Sequence, residues 1–451
     1  MGNRETEKLV PCFPPHSIFR SARIGETVKA APKPVSNPFP IPYSRTQAME
    51  IRPILSALMR SKVSMILIGV QVALTLAIVC NALFIIGQRL DHMARPSGMN
   101  EVDTFHFGSS GFGQGFDAMA MIREDLAILR QMPGVASATT SNSVPMSQGG
   151  WSTGISLQPK QKTSTADSAI YIVDDKGLDT FGSKLVAGRD FKPEEIVDAK
   201  FGDSLRPAVI IVTQALADKL FPDGDALGKS VYLQEDPPTS TIIGIVERTQ
   251  QPWMSSSTVE NSTFVPAYMP YGNSSRYLVR TEPGRRDEVM KAVEQKLSES
   301  NTSRIIGSVR SMEETRAEAY SGDRAMAIIL GVVIFSLLAI TALGIVGMAS
   351  FWVAQRTRQI GTRRALGASR KDILRYFQTE NFIITTLGLI VGGVLAYALS
   401  LWMMMSYQSP RLPWYYVPIG FVCLWTLGQL AVLGPAMRAS RVSPAVATRS
   451  V

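Results

Sequence analysis

Four long apolar runs set the terms for any fold of this chain. They cover residues 63–87, 325–353, 382–405 and 415–437, and none contains Asp, Glu, Lys or Arg. A bilayer core takes about 20 helical residues to cross. In lipid the backbone has to satisfy its own hydrogen bonds, so each run reads as a membrane helix. A cleaved signal peptide does not fit the first run, which starts some sixty residues in and is too long for a signal core.

Basic residues cluster beside the runs. Arg52, Arg60 and Lys62 precede the first; Arg356, Arg358, Arg363, Arg364, Arg370, Lys371 and Arg375 separate the second from the third; Arg438, Arg441 and Arg449 follow the fourth. By the positive-inside rule these three regions are cytoplasmic, which places both termini inside and residues 88–324 outside. Of the formal charge of +9, the 88–324 block contributes roughly −6 and the remainder roughly +15. The basic balance is therefore a topology signal and does not point to nucleic acid. Trp402, Tyr407, Trp414, Tyr415 and Tyr416 flank the short outer loop as an interfacial belt facing membrane lipid.

Cys12, Cys80 and Cys423 all lie outside the 88–324 block, so that block holds no internal disulfide. With three histidines and no paired thiols, a zinc site is not expected. The proline-rich residues 1–48 are expected to be a disordered extension, dispensable or outside the true start. Met49 then opens an amphipathic stretch at 51–59, and residues 49–87 form one unit with the first span.

The 88–324 block is domain-sized. Met119, Ile122, Leu126 and Leu129 recur at helical spacing, as do Val289, Met290, Val293 and Leu297. Strand-like runs occur at 169–173, 208–212, 230–233, 241–246, 277–280 and 305–309. The expected fold class is a four-helix membrane protein with a large mixed α/β extracytoplasmic domain between helices one and two. That domain is expected to have two lobes, with residues 136–264 inserted into a lobe built from both ends. Residues 325–451 hold the remaining spans.

Some motifs in this block mislead. Gly224 to Ser230 resembles a phosphate-binding loop but has three residues between Gly224 and Gly228, where the Walker pattern needs four, so it reads as a turn into a strand. The glycines from Gly108 to Gly115 lack dinucleotide spacing and read as a loop. His92 and His106 stand outside any catalytic ordering. No enzyme activity and no bound cofactor are expected.

Residues 355–375 carry the most information. They read Gln-Arg-Thr-Arg-Gln-Ile-Gly-Thr-Arg-Arg-Ala-Leu-Gly-Ala-Ser-Arg-Lys-Asp-Ile-Leu-Arg. Gly361 and Gly367 are expected to interrupt the helices, and Ser369 with Asp372 forms a capping-box start. The new helix gathers Ile373, Leu374 and Phe377 and leaves Arg370, Lys371 and Arg375 on other sides. Composition alone fits positive-inside charge plus a lipid-facing helix. The order of residues is more specific: it resembles the signature loop of FtsX-like permease domains over more than a dozen consecutive positions. The tail from Pro435 through Arg438 and Arg441 to Pro444 and Ala445 is similar to the end of that domain. Leu185 to Phe191 and Leu216 to Phe221, with Leu227, Gly228 and Lys229, resemble a MacB-type periplasmic core. The likeness covers about residue 49 to the end, with one departure: Gln359 stands where the family usually has Glu.

The resemblance implies a permease of the bacterial inner membrane that works as a pair of copies, identical or not. A separate cytoplasmic ABC ATPase supplies ATP hydrolysis, since no Gly-x-x-x-x-Gly-Lys-Ser/Thr occurs here. It implies that the ATPase docks on the loop at 354–377 through Arg356, Arg358, Gln359, Gly361, Arg363, Arg364, Leu366, Gly367, Ser369, Arg370, Asp372 and Ile373. A periplasmic adaptor is a further implied partner. Export of a small hydrophobic compound or peptide is the expected task; switching a cell-wall hydrolase or extracting lipoproteins are the alternatives. Gly388 and Gly392 form a Gly-x-x-x-Gly pair, which marks either close helix packing or the ordinary glycine content of a span.

Overall fold

The computed structural model describes residues 62–202, 205–233 and 238–442. The extension at 1–48, the amphipathic stretch at 51–59, and Pro444, Ala445 and Arg449 lie outside the described residues. In chain order, α1 (Lys62–Ala94) leads into β1 (Thr104–Gly111), α2 (Ala118–Gln131), β2 (Val135–Thr140), β3 (Trp151–Ser156) and β4 (Ala166–Val173). Then come α3 (Gly177–Phe181), β5 (Leu185–Gly188), β6 (Val197–Asp198), β7 (Val209–Thr213), α4 (Gln214–Leu220), β8 (Ser230–Leu233), β9 (Ser240–Val246), β10 (Ser262–Tyr268) and β11 (Ser274–Thr281). The chain ends with α5 (Arg286–Ser300), β12 (Arg304–Ile306), β13 (Arg310–Ser311), α6 (Met312–Ala319), α7 (Ser321–Gln355), α8 (Thr357–Ala365), α9 (Arg370–Tyr407) and α10 (Tyr416–Ser440).

The helices α1, α7, α9 and α10 are long and apolar enough to cross a membrane, and each outlasts the apolar run that announced it. The 35 residues of α7 span about 50 Å at 1.5 Å per residue, against about 30 Å of hydrocarbon. Charged residues end the apolar run without ending the helix: Arg89 and Asp91 are still inside α1, and Arg370 opens α9.

Small residues let these helices touch. A Cβ on Gly388 would sit 2.8 Å from the carbonyl oxygen of Gly69, and one on Gly392 would sit 2.8 Å from that of Ala73. The Gly-x-x-x-Gly pair of α9 therefore packs against the Gly69 and Ala73 backbone of α1, which settles the open reading in favour of close contact. Polar side chains add pins: Thr75 and Thr341 share a 2.8 Å hydroxyl contact, Asn81 donates to the Ala396 carbonyl at 3.0 Å, and Asn381 donates to that of Gly428 at 3.0 Å.

The α/β domain between α1 and α7 has two sheets. One is antiparallel with strand order β12-β1-β11-β2, and β13 also pairs with β1. Phe105, Phe107, Tyr277 and Val279 point from it into one core with Ile122, Leu126 and Leu129 of α2 and Val289, Val293 and Leu297 of α5. The other sheet runs β4-β3-β8-β9-β7-β10, and β10 pairs back onto β4, so six strands close on themselves. Alternation splits the side chains of these strands. Ile170, Ile172, Ile210, Val212 and Val265 join one core, while Tyr171, Ile211 and Phe264 join a second cluster with Leu278 of β11 and Met312 of α6. That second cluster seals the two sheets together.

The glycine segment from Gly108 departs from expectation. Gly108 to Gly111 belong to β1, which has partners on both sides, and only the following residues form a turn. Gly111 is required there, because a Cβ would lie 2.0 Å from the Phe116 ring. The Walker-like segment is a turn: Gly224 has φ +86°, Lys229 pairs with Asp225 at 3.0 Å, and β8 starts at Ser230.

Candidate functional site between the second and third spans

The local sequence builds a bracket from two helices and a short link. Arg356 closes α7 and opens α8. Gly361 does not interrupt that helix; it is buried within α8. The break comes at Gly367, with φ +98°. Its N–H donates to the Arg364 carbonyl at 3.1 Å and the Ala368 N–H to the Arg363 carbonyl at 3.0 Å, the paired bonds of a Schellman stop. Ser369 then starts α9: its hydroxyl accepts from the Asp372 N–H at 3.2 Å, and the Asp372 carboxylate accepts from the Ser369 N–H at 2.9 Å.

One side of the bracket is fixed to the bundle. Ile360, Ile373 and Phe377 are buried with Ala436 and Ala439 of α10. Arg364 donates to the Val442 carbonyl just past α10. Arg363 stacks on Tyr376 with 4.9 Å from guanidinium to ring centre. Arg356 reaches both oxygens of Glu380 at 2.9 Å, and the Glu380 side chain is 1% exposed. The opposite side faces outward. Arg358, Gln359, Ser369, Arg370, Lys371, Asp372 and Arg375 are exposed there, and Leu366 stands 83% exposed at the turn.

The twelve residues singled out in the sequence thus divide. Arg356, Ile360's neighbour Gly361, Arg363, Arg364 and Ile373 hold the bracket together, Gly367 and Ser369 with Asp372 shape its turn, and Arg358, Gln359, Leu366 and Arg370 present its surface. Gln359 lies beside Arg356 and Arg363, yet the carboxylate that answers Arg356 comes from Glu380. Sequence reading missed Glu380 because it sits two residues ahead of the apolar run. Its signal is spacing: Ile373, Phe377 and Glu380 fall on one helical face, an odd place for an unpaired acid.

A second polar cluster ties the α/β domain to the helices. Arg89 of α1 meets Asp323 of α7 at 2.9 Å. Arg316 of α6 pairs with Glu101 at 2.5 Å, donates to the Met93 carbonyl at 2.8 Å and also reaches the Arg95 carbonyl. His106 is half-buried and bonded to Thr315 at 2.9 Å; burial, with Arg276 and Arg310 nearby, lowers its pKa to about 4 against the pull of Glu314. Among the described residues no group of three His, Cys, Asp or Glu is placed to share a metal ion.

Two family models match the chain: the MacB-like periplasmic core domain over residues 65–296, and the FtsX-like permease C-terminal domain over residues 331–444. An uncharacterized ABC transporter permease, YvrN of Bacillus subtilis, is 26% identical over 300 residues, covering 64% of this chain and 71% of the relative. The macrolide export ATP-binding/permease protein MacB of Neisseria gonorrhoeae is 25% identical over 368 residues, covering 78% of this chain. The chain spans about half the length of such MacB relatives, 52% in that case and 40% for MacB of Chromobacterium violaceum. The periplasmic region of MacB from Actinobacillus actinomycetemcomitans aligns with 51% of this chain and 97% of its own at 15% identity, with a TM-score of 0.32. By its matched domains, this chain belongs to the MacB/FtsX-like permease family of ABC transporters, a multi-pass inner-membrane protein with a MacB-like core domain between its first two membrane helices.

Proposed function

We propose that the chain is the permease subunit of a MacB-like exporter, driven by a cytoplasmic ATPase that docks on the bracket between α7 and α9. Two copies of the chain pair, and the two ATPases close on ATP. Their closure moves the brackets, and α1 and α7 carry the motion to the α/β domains on the far side. The cargo is a small hydrophobic compound or peptide handled outside the membrane.

The observation that carries this reading is the bracket's two-sided construction. Its inner side is locked to three spans by Ile360, Ile373, Phe377 and the Arg356–Glu380 pair. Its outer side offers an apolar knob, Leu366, at the turn before the exposed Arg370, Lys371 and Arg375 of α9. A force applied to that surface is delivered to the spans with little give, and an exposed leucine near exposed charges suits a protein partner.

The test is co-purification with the ATPase in mild detergent. Leu366→Ser combined with Arg370→Glu should abolish ATPase recovery while the permease keeps its thermal midpoint. Arg363→Glu and Arg364→Glu are poorer probes, because both arginines hold the bracket itself. Full ATPase recovery with the first pair would remove the bracket surface from the docking role.

A further inference from the structure

Between the two sheets of the α/β domain lies an open cleft of about 370 Å³, within the size range of small-molecule sites. Its wall carries an aromatic run: Trp151 and Phe201 have ring centres 5.5 Å apart, and Phe201 and Tyr271 stand edge to face at 4.2 Å. Phe201 is 48% exposed and Tyr271 65%, so these two rings are not spent on a domain core, whereas Trp151 also packs against one.

Arg276 of β11 lines the same cleft. Its neighbour across the ladder is Gly108 of β1, and the two share a face. Gly108 leaves open space at that register position; a Cβ there would meet nothing nearer than 3.9 Å. Among the described residues no carboxylate or carbonyl pairs with the Arg276 guanidinium, and burial alone lowers its pKa from the usual arginine value. A half-buried guanidinium with no partner is left free to answer a ligand's anion.

The loop that borders the cleft at Gly149 and Gly150 is held in an unusual shape. Met146 and Gln148 take φ of +65° and +61°, a region disfavoured for residues with a side chain and enriched at functional sites. Ser143 and Ser147 both donate to the Gly149 carbonyl, and the Gln148 N–H donates to that of Pro252 at 3.1 Å.

We infer that this inter-sheet cleft is a binding site for a small aromatic amphiphile carrying a carboxylate, the ring lying against Trp151, Phe201 and Tyr271 and the carboxylate forked by Arg276. Planar guanidinium suits two-point recognition of a carboxylate, and aromatic walls suit the ring. The site stands whether or not an ATPase docks on the bracket.

The test uses the full chain in lipid nanodiscs, with 2-naphthoate and the neutral 2-naphthamide as probes. Equilibrium dialysis is corrected with empty nanodiscs. Saturable binding is expected, tighter for the acid. Arg276→Gln should weaken naphthoate about tenfold, the worth of one charge-assisted hydrogen bond, and leave naphthamide unchanged; Arg276→Lys should recover part of the loss. Gly108→Leu should remove binding of both probes. Gly149→Leu gives a second block, since its Cβ meets nothing within 4 Å. Equal naphthoate binding by wild type and Arg276→Gln, binding that survives both leucine blocks, or no saturable binding at all would each overturn the site.

Discussion

The helices of this protein are tied at two ends, and the two ties differ in kind. At the domain end the contacts are partly buried: the Arg89 and Asp323 side chains keep 35% and 20% of their surface, and those of Arg316 and Glu101 keep 24% and 18%. At the bracket end Arg356 and Glu380 keep 16% and 1%. Water and salt reach the first kind more readily and weaken it. The second has no cheap alternative, because either partner alone is a charge stranded among apolar helices. By charge burial alone the bracket end is the firmer lock, while the domain end also leans on the packing of Met312 and Tyr320.

Four variants bear on that difference, taken from the largest effect down. Glu380→Leu strands Arg356 and should cost about 3–5 kcal/mol of stability, read as a large fall in the unfolding midpoint in detergent; Arg356→Met added to it should restore much of the loss. A Glu380→Leu protein as stable as wild type would dissolve the lock. Gly388→Leu pushes α9 off Gly69 and should cost about 1–3 kcal/mol, whereas Gly331→Leu, where a Cβ meets nothing within 4 Å, should be tolerated.

His106, near the domain end, gives a pH signature. Its folded pKa of about 4 lies below the unfolded value of 6.5. The unfolded chain therefore takes up the proton first as pH falls. The stability that the neutral ring contributes is complete above pH 6.5 and is lost on acidification from 6.5 to about 4. His106→Gln should flatten that part of the profile by on the order of 1 kcal/mol; an unaltered profile would mean that the ring is not buried as described. Last, Asp323→Asn should cost under about 1 kcal/mol, with the difference vanishing at high salt. A larger, salt-insensitive loss would make the domain end a lock as well.

The two regions also differed in how plainly the sequence announced them. The spans were legible because lipid permits a single solution for an uncharged run of that length. The bracket's turn was legible because Gly367, Ser369 and Asp372 are local signals that act within a few residues. Gly361 misled for the same reason: glycine weakens an exposed helix, but here it sits on the buried side of one. In the domain, β8 and β9 were readable from β-branched runs, while β10 was not. Its residues are buried on both faces, so they show no alternation, and Pro266 sits inside it. Spacing flags Glu380, but its partner Arg356 lies more than twenty positions away, and the meaning of Arg276 comes from the lack of a partner in space.

The docking surface is the claim on which the rest turns. A photo-crosslinking residue placed at Leu366 and, as control, at Ser274 on β11 asks the question directly in intact membranes. The account predicts that only the first yields an adduct with a polypeptide carrying Gly-x-x-x-x-Gly-Lys-Ser/Thr. An adduct of that kind from Ser274, with none from Leu366, would contradict it.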